Sequence, residues 1–498
     1  MSTTEKKFLL LVVLCLQIVF LTSTGLAQEI EASISLVPTA PTAVQIKGKT
    51  LKQEIAESNK MWTFVRSVPS AENLGERIDK LNLLNARGQA VVVKKLIAGE
   101  YLAEEQAVNW NYQADLQPPN SAAMAHVSWI KDEQGILMLD DLLPQFVAKN
   151  DQPISAKIKF ELPEDWKIIS REKSLDDRTF TLPDIEKAVF LIGKNWREKE
   201  ISVDKNTLNF AISGEWQFSD AEAFQIAGEI FAEYKKLLGG IPFENARVNL
   251  IHFPKEVKFG RWEAETRGAN VTILSSDMPF KTLALQRLHE QLRHEIFHLW
   301  LPNSLSLTGN YDWFYEGFTV YQSLRTAMEM NQIRFEDFLA TLAQAYTMDT
   351  QQLQKTSLIA ASKNRWNNKG SQIYARGMII AFLCDVALLE NSKGKRSIAD
   401  LFRQILKLHG VSSKTQDGNT AVLNVLNSYP ELRPIIEKYV NGAEKLNWQT
   451  ELESIGIEAQ ETDFAVKLDV KTKLKNQQKN LLESLGYNNW RKSLGRSK

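Results

Sequence analysis

Hydrophobic and polar positions change rhythm along the chain. Residues 28 to about 200 carry short alternating or β-rich runs, such as Ala90-Val-Val-Val-Lys-Lys-Leu-Ile97 and Ile154-Ser-Ala-Lys-Ile-Lys-Phe-Glu-Leu162. Turn-forming stretches, Pro118-Pro119-Asn120 and Pro163-Glu164-Asp165, interrupt them. This half predicts a β-sandwich-like region. After about residue 200, strand-like Leu208-Asn-Phe-Ala-Ile212 leads into a helix opened by Ser219-Asp-Ala-Glu222 and closed by Gly239-Gly240. Arg247-Val-Asn-Leu-Ile-His-Phe253 reads as another strand, and from residue 282 to about 440 helical spacing dominates with short polar breaks. Strands followed by helices predict an α+β chain, and no internal repeat is visible.

The first residues form a separate segment. Lys6-Lys7 precede an apolar run from Phe8 to Leu21, interrupted by Gln17, and a small-residue exit at Gly25-Leu26-Ala27. That is the layout of a secretory signal peptide, shorter than the roughly 20 residues that span a bilayer. Export to a periplasmic or extracellular space is therefore expected, with no membrane span after processing. The expected organisation is a signal peptide over 1–27, a β-rich domain over 28–200, a catalytic domain with a helical lobe over 201–445 and a C-terminal extension over 446–498.

Composition narrows the class further. The 498 residues suffice for two or three domains, at roughly 150 residues each. Lys+Arg 60 against Asp+Glu 60 leaves no net field to gather nucleic acid, so no nucleic-acid partner is expected. Of the two cysteines, Cys15 lies in the leader and Cys384 in an apolar run, so no disulfide framework is available. Stability outside the cytoplasm then falls to core size or a metal. Near the C-terminus, Lys471, Lys473, Lys475, Lys479, Arg491, Lys492, Arg496 and Lys498 face Glu483 alone. That excess predicts a frayed, solvated tail, with contact to an anionic lipid or polymer as the alternative.

Three of the six histidines fall within ten residues, in Leu288-His-Glu-Gln-Leu-Arg-His294-Glu295-Ile-Phe-His298-Leu-Trp300. His294-Glu295-Ile-Phe-His298 is an HExxH motif, which chance supplies in a chain of this composition roughly once in two hundred. Leu285, Leu288, Leu292, Ile296 and Leu299 set helical spacing over Thr282–Leu301, ending before Pro302. Histidines four apart on a helix can share one zinc ion, and Glu295 is angled to reach a metal-bound water. A third ligand is available in Glu316, eighteen positions after His298, within a second helix marked by Phe314, Phe318, Tyr321, Leu324 and Met328 and capped by Asn310 or Asp312. Three protein ligands leave a fourth position open, as catalysis requires. His126, His252, His289 and His409 fall outside this spacing and read as structural or surface residues.

His294-Glu-Ile-Phe-His298-Leu-Trp300, Trp313-Phe-Tyr-Glu316-Gly-Phe-Thr319 and Tyr374-Ala-Arg-Gly377 resemble the three signatures of gluzincin aminopeptidases, especially the glycyl aminopeptidase family. The likeness extends to Leu162-Pro-Glu-Asp-Trp166 and to the run from Gly377 to Lys395, and so covers most of residues 150 to 440. It implies a β-rich, sandwich-like N-terminal domain followed by a thermolysin-like zinc peptidase domain with a helical C-terminal lobe. It also implies one zinc ion per chain on His294, His298 and Glu316, with Glu295 as general base and Tyr374 as the hydroxyl that stabilises the oxyanion. The implied activity is zinc-dependent peptide-bond hydrolysis, with an aminopeptidase first in line and peptides or proteins as substrates.

The chain departs from that pattern in three places. The interval from His298 to Glu316 is nearer that of the related alanyl aminopeptidase and leukotriene hydrolase family. Beyond about 440 nothing resembles the PDZ domain that often follows. Finally, the strand that should carry a carboxylate for the substrate's α-amino group is Gly260-Arg-Trp-Glu-Ala-Glu-Thr-Arg-Gly-Ala-Asn-Val-Thr-Ile-Leu274. Matching Asn270-Val-Thr272 puts Arg267 at the glutamate's place, with Glu263 or Glu265 as substitutes after a register shift. An arginine there would favour a substrate carboxylate or a blocked amine. An endopeptidase of altered specificity, or a zinc-holding protein that binds peptides without cutting them, are the alternatives this leaves.

Overall fold

The computed structural model describes residues 29–51, 60–120, 122–145, 153–352, 355–461 and 465–489; the expected leader and the end of the basic tail lie outside them. Two compact units divide the chain, Met1–Lys194 and Asn195–Lys498. In the first, Ile30–Val37 runs parallel to Ala156–Glu161 and antiparallel to Ala40–Thr50 within an eight-stranded sheet. Ile30, Ala32 and Ile34, then Val44 and Ile46, then Ala156, Ile158 and Phe160 point to one face and are buried. Ile130, Leu137, Phe190 and Ile192, from a four-stranded sheet, complete the same core, so the two sheets pack face to face as the alternation predicts. The run from Ala90 to Ile97 is not one strand. It splits into Ala90–Val91 and Val93–Ile97, which join different sheets and leave Val92 exposed at the crossing.

The second unit begins with a five-stranded sheet: β1 (Arg197–Val203), β2 (Asn206–Ile212), β3 (Asn245–His252), β4 (Trp262–Arg267) and β5 (Asn270–Ser275), in the order β1-β2-β3-β5-β4. The expected boundary at 200 falls inside β1, whose pairing with β2 draws residues from 195 onward into this unit. Between the parallel strands β2 and β3 runs helix α1 (Asp220–Leu238). Its ends are as the sequence predicts, with a Ser219–Glu222 capping box and Gly239 in the left-handed conformation at φ 80°. Strand β4 is antiparallel to β5 and forms the sheet edge.

Helix α2 covers Lys281–Phe297, four residues short of the predicted end. The N–H groups of His298, Leu299 and Trp300 bond three residues back, so the last turn tightens ahead of Pro302, whose ring disfavours helix at Leu301. A helical turn at Asp312–Tyr315 leads through Glu316 into α3 (Gly317–Glu329). Tyr311 flanks that turn, so neither Asn310 nor Asp312 acts as the expected cap, and the Asp312 carboxylate is engaged elsewhere. Helix α4 (Gly370–Ser392) carries Cys384 and is apolar and long enough to cross a membrane, but it is mostly buried among the helices of this unit.

The expected C-terminal extension is part of this core. Leu446, Trp448, Leu452, Ile455, Ile457 and Leu468 are buried in it, as are Leu481, Leu482 and Leu485 on and after the helix Asn476–Ser484. The described residues up to 489 are therefore docked, because Leu481, Leu482 and Leu485 form an apolar face between the lysines at 471–479 and Arg491.

Helices α3 and α4 cross at two glycines. A methyl group on Gly317 would lie 2.4 Å from the Cα of Gly377, and one on Gly377 would lie 2.7 Å from the Trp313 carbonyl oxygen. That crossing holds Glu316, beside the first glycine, near Tyr374, one turn before the second. Replacing Gly317 or Gly377 with alanine should destabilise the protein by about 1–3 kcal/mol through overpacking. Gly370→Ala, with nothing within 4 Å of the added carbon, is the matched control and should be neutral or stabilising in urea unfolding.

Candidate metal centre

His294 and His298 stand one turn apart at the end of α2, and Glu316 reaches them from the start of α3. The two Nε2 atoms are 3.1 Å apart, and Glu316 Oε2 is 3.5 Å from each. Tetrahedral coordination with bonds of about 2.0–2.2 Å separates ligand atoms by roughly 3.3–3.5 Å, so one ion fits all three. His298 Nδ1 donates to the Leu301 carbonyl at 2.8 Å, which leaves the Nε2 lone pair directed at the shared point. Asn303 fixes the same corner: its amide donates to the His298 carbonyl and its oxygen accepts the Gly268 N–H in the β4–β5 turn.

The electrostatics ask for a cation. Glu316 is 6% exposed, and its Oε2 is buried without a hydrogen-bond donor. Burial pushes the Glu316 carboxyl up, but His294, His298 and Arg365 hold it well below the carboxylate range. Burial opposes charge on His298 as well, yet Glu316 and Glu295 raise that imidazole to about 9. A proton or a metal ion between these groups satisfies both tendencies, and the donor set of two imidazoles and one carboxylate suits zinc.

Glu295 lies beside the imidazoles, with Oε1 3.9 Å from His294 Nε2. Its other oxygen accepts a hydrogen bond from Thr266 Oγ1 at 3.2 Å. Burial pushes the Glu295 carboxyl up, against the pull of His294 and His298. Tyr374, on α4, has its ring 6.4 Å from that of His294, and burial holds its phenol well above the usual range, so it remains a neutral donor. The residues read as ligands, base and hydroxyl therefore come together.

The substrate-binding candidates do not join them. Alternation along β4 turns Trp262 and Thr266 toward α2, where the Trp262 ring lies 6.2 Å from that of His294. Glu263, Glu265 and Arg267 take the opposite positions. Glu263 is buried and paired with Arg261 at 2.7 Å, and Glu265 lies 3.5 Å from Arg267 Nε. Thr266 was legible only through this register. Asp312, expected only as a helix cap, and Arg365, not singled out at all, both belong to the site: Arg365 donates to Asp312, Glu316 and Tyr374 from a polar stretch that carries no motif. His289, set aside as structural, contacts Arg293 within α2.

In sequence, no family model and no curated protein matches the chain. In structure, it is similar to an aminopeptidase N family protein from Idiomarina loihiensis, with a TM-score of 0.72 at 17% identity over 90% of this chain and 82% of that one. It is also similar to an M1 zinc metallopeptidase from Deinococcus radiodurans in a variant bound to a Tyr-Ser-Ala substrate, with a TM-score of 0.52 at 14% identity over 84% and 94% of the two chains. The chain thus shares the fold of these structures, α+β with a β-rich N-terminal region and a helical C-terminal region.

His298→Ala and Glu316→Ala should each abolish stoichiometric zinc retention on dialysis, measured by plasma emission spectrometry. His252→Ala, whose imidazole instead faces Asp277 at 3.2 Å, should retain zinc as the unaltered chain does.

Proposed function

We propose that the protein is a zinc-dependent metallopeptidase, exported through its N-terminal leader, that hydrolyses peptide bonds in peptides or proteins. The observation that carries this reading is the His294–His298–Glu316 triangle with a buried carboxylate on one side and a tyrosine hydroxyl on the other. One zinc ion per chain on those ligands would supply Lewis acidity to the scissile carbonyl and lower the pKa of water.

The chain's own groups do the rest. Glu295, kept in place by Thr266, takes the proton of the attacking water and passes it to the leaving amine; its burial brings it nearer the working pH of a base. Tyr374 donates its O–H to the oxygen that gains charge in the transition state. Because that interaction strengthens as charge develops, its loss should lower kcat more than it raises KM.

The fold's likeness to an aminopeptidase N family protein favours removal of N-terminal residues. A second reading, cleavage of blocked or internal bonds, is favoured by β4. The residue it directs at Glu295 is Thr266, while Glu263 and Glu265 lie on its other face.

Zinc-loaded protein incubated with peptides bearing free and acetylated N-termini, with products read by mass spectrometry, separates these. Loss of single residues from free N-termini supports the aminopeptidase, and cleavage of acetylated peptides supports the second reading. Glu295→Gln should retain zinc and lose about 100- to 10,000-fold in turnover. Zinc binding without any cleavage would refute the peptidase and leave a peptide-binding protein.

A further inference from the structure

Arg365 sits in the interior beside the metal ligands and takes no part in the chemistry assigned above. Its side chain is 17% exposed. One guanidinium nitrogen, Nη1, donates to Asp312 Oδ1 at 2.6 Å; the other, Nη2, donates both to Glu316 Oε1 and to the Tyr374 oxygen, each at 2.9 Å. Asp312 is itself held by the Tyr315 hydroxyl at 2.8 Å. The guanidinium also stacks over the Tyr374 ring, 5.7 Å from its centre.

The backbone makes this reach available. Arg365 opens a turn of π-helix, Arg365–Lys369, that runs directly into α4. In a continuous α-helix, residues nine apart are about half a turn out of phase, so Arg365 and Tyr374 would face opposite ways. The wider i→i+5 turn shifts that phase, and π turns of this kind often mark functional sites.

We propose that Arg365 is a positioning residue that leaves Glu316 a single oxygen to offer a metal ion and sets the direction of the Tyr374 hydroxyl. The inference rests on the metallopeptidase reading. With Oε1 committed to Arg365, only Oε2 faces the two imidazoles, so Glu316 would offer a metal ion one oxygen rather than two. With its oxygen accepting from a guanidinium, which has no acceptor, Tyr374 keeps its own proton to donate, and the Glu316 carboxylate lies beside it as an acceptor until substrate arrives. Asp312 balances the charge, so the guanidinium does not neutralise Glu316 at the expense of the metal.

Lysine cannot reproduce this arrangement, because a single ammonium lacks the planar fork that spans Asp312 on one arm and Glu316 with Tyr374 on the other. The test compares Arg365→Ala and Arg365→Lys with the unaltered full chain. Zinc affinity is measured by competition with a chromophoric chelator, kcat and KM on one peptide substrate at saturating zinc, and folding by near-UV circular dichroism. Both variants should bind zinc about 10- to 100-fold more weakly. At saturating zinc kcat should fall at least about tenfold, with KM within about twofold of the original. Lysine should restore folding stability without restoring kcat.

Unchanged zinc affinity and kcat in a folded variant would overturn the proposal, as would reduced thermal stability alone. If Arg365→Ala fails to fold, Arg365→Lys decides. The affinity arm needs no turnover: an unaltered chain that binds zinc but cleaves nothing refutes the peptidase reading, while undiminished zinc binding by the variants refutes the role of Arg365.

Discussion

Removing the Glu316 carboxylate from water is the constraint around which this unit is arranged. An ionised carboxylate in the interior costs several kcal/mol unless charges and donors surround it. Arg365 engages one oxygen, and His294 and His298 face the other. The histidine pair and the arginine come from different elements, so the tightened end of α2, the glycine crossing of α3 with α4 and the π turn before α4 all have to form for the carboxylate to be tolerated. Asp312, Glu295 and Glu316 against Arg365 alone leave two negative charges in excess, which a divalent cation on neutral imidazoles balances.

How much of this the sequence carries depends on how local each feature is. Two histidines four apart, with leucines at helical spacing, fix their own relative placement, and so the ligand pair and Glu295 can be read from Thr282–Leu301 alone. Glu316 needs one further assumption, a chain reversal within seventeen residues, and the turn at Asp312–Tyr315 meets it. Tyr374 is legible only through its likeness to a known signature, because nothing local distinguishes it from a packing tyrosine. Arg365 is illegible, since its role depends on a π turn and on three acceptors from two other segments.

The misread segments have a common cause. Counting charge from Lys471 to Lys498 hid the apolar positions Leu481, Leu482 and Leu485, which dock a helix. Matching Asn270-Val-Thr272 by residue type puts Arg267 at the cleft, where alternation along β4 places Thr266. A one-residue slip in a strand exchanges its two faces, so a motif read without register identifies the strand but not which side chains line the site. Here the exchange puts a hydroxyl rather than a charged side chain beside Glu295.

The most direct measurement is anomalous diffraction at the zinc edge from crystals of the zinc-loaded protein. The account predicts one strong peak within coordination distance, about 2.0–2.2 Å, of His294 Nε2, His298 Nε2 and Glu316 Oε2. Glu316 Oε1 should still be held by Arg365 in that density. A peak elsewhere, or no peak at that triangle at full zinc occupancy in solution, would contradict it.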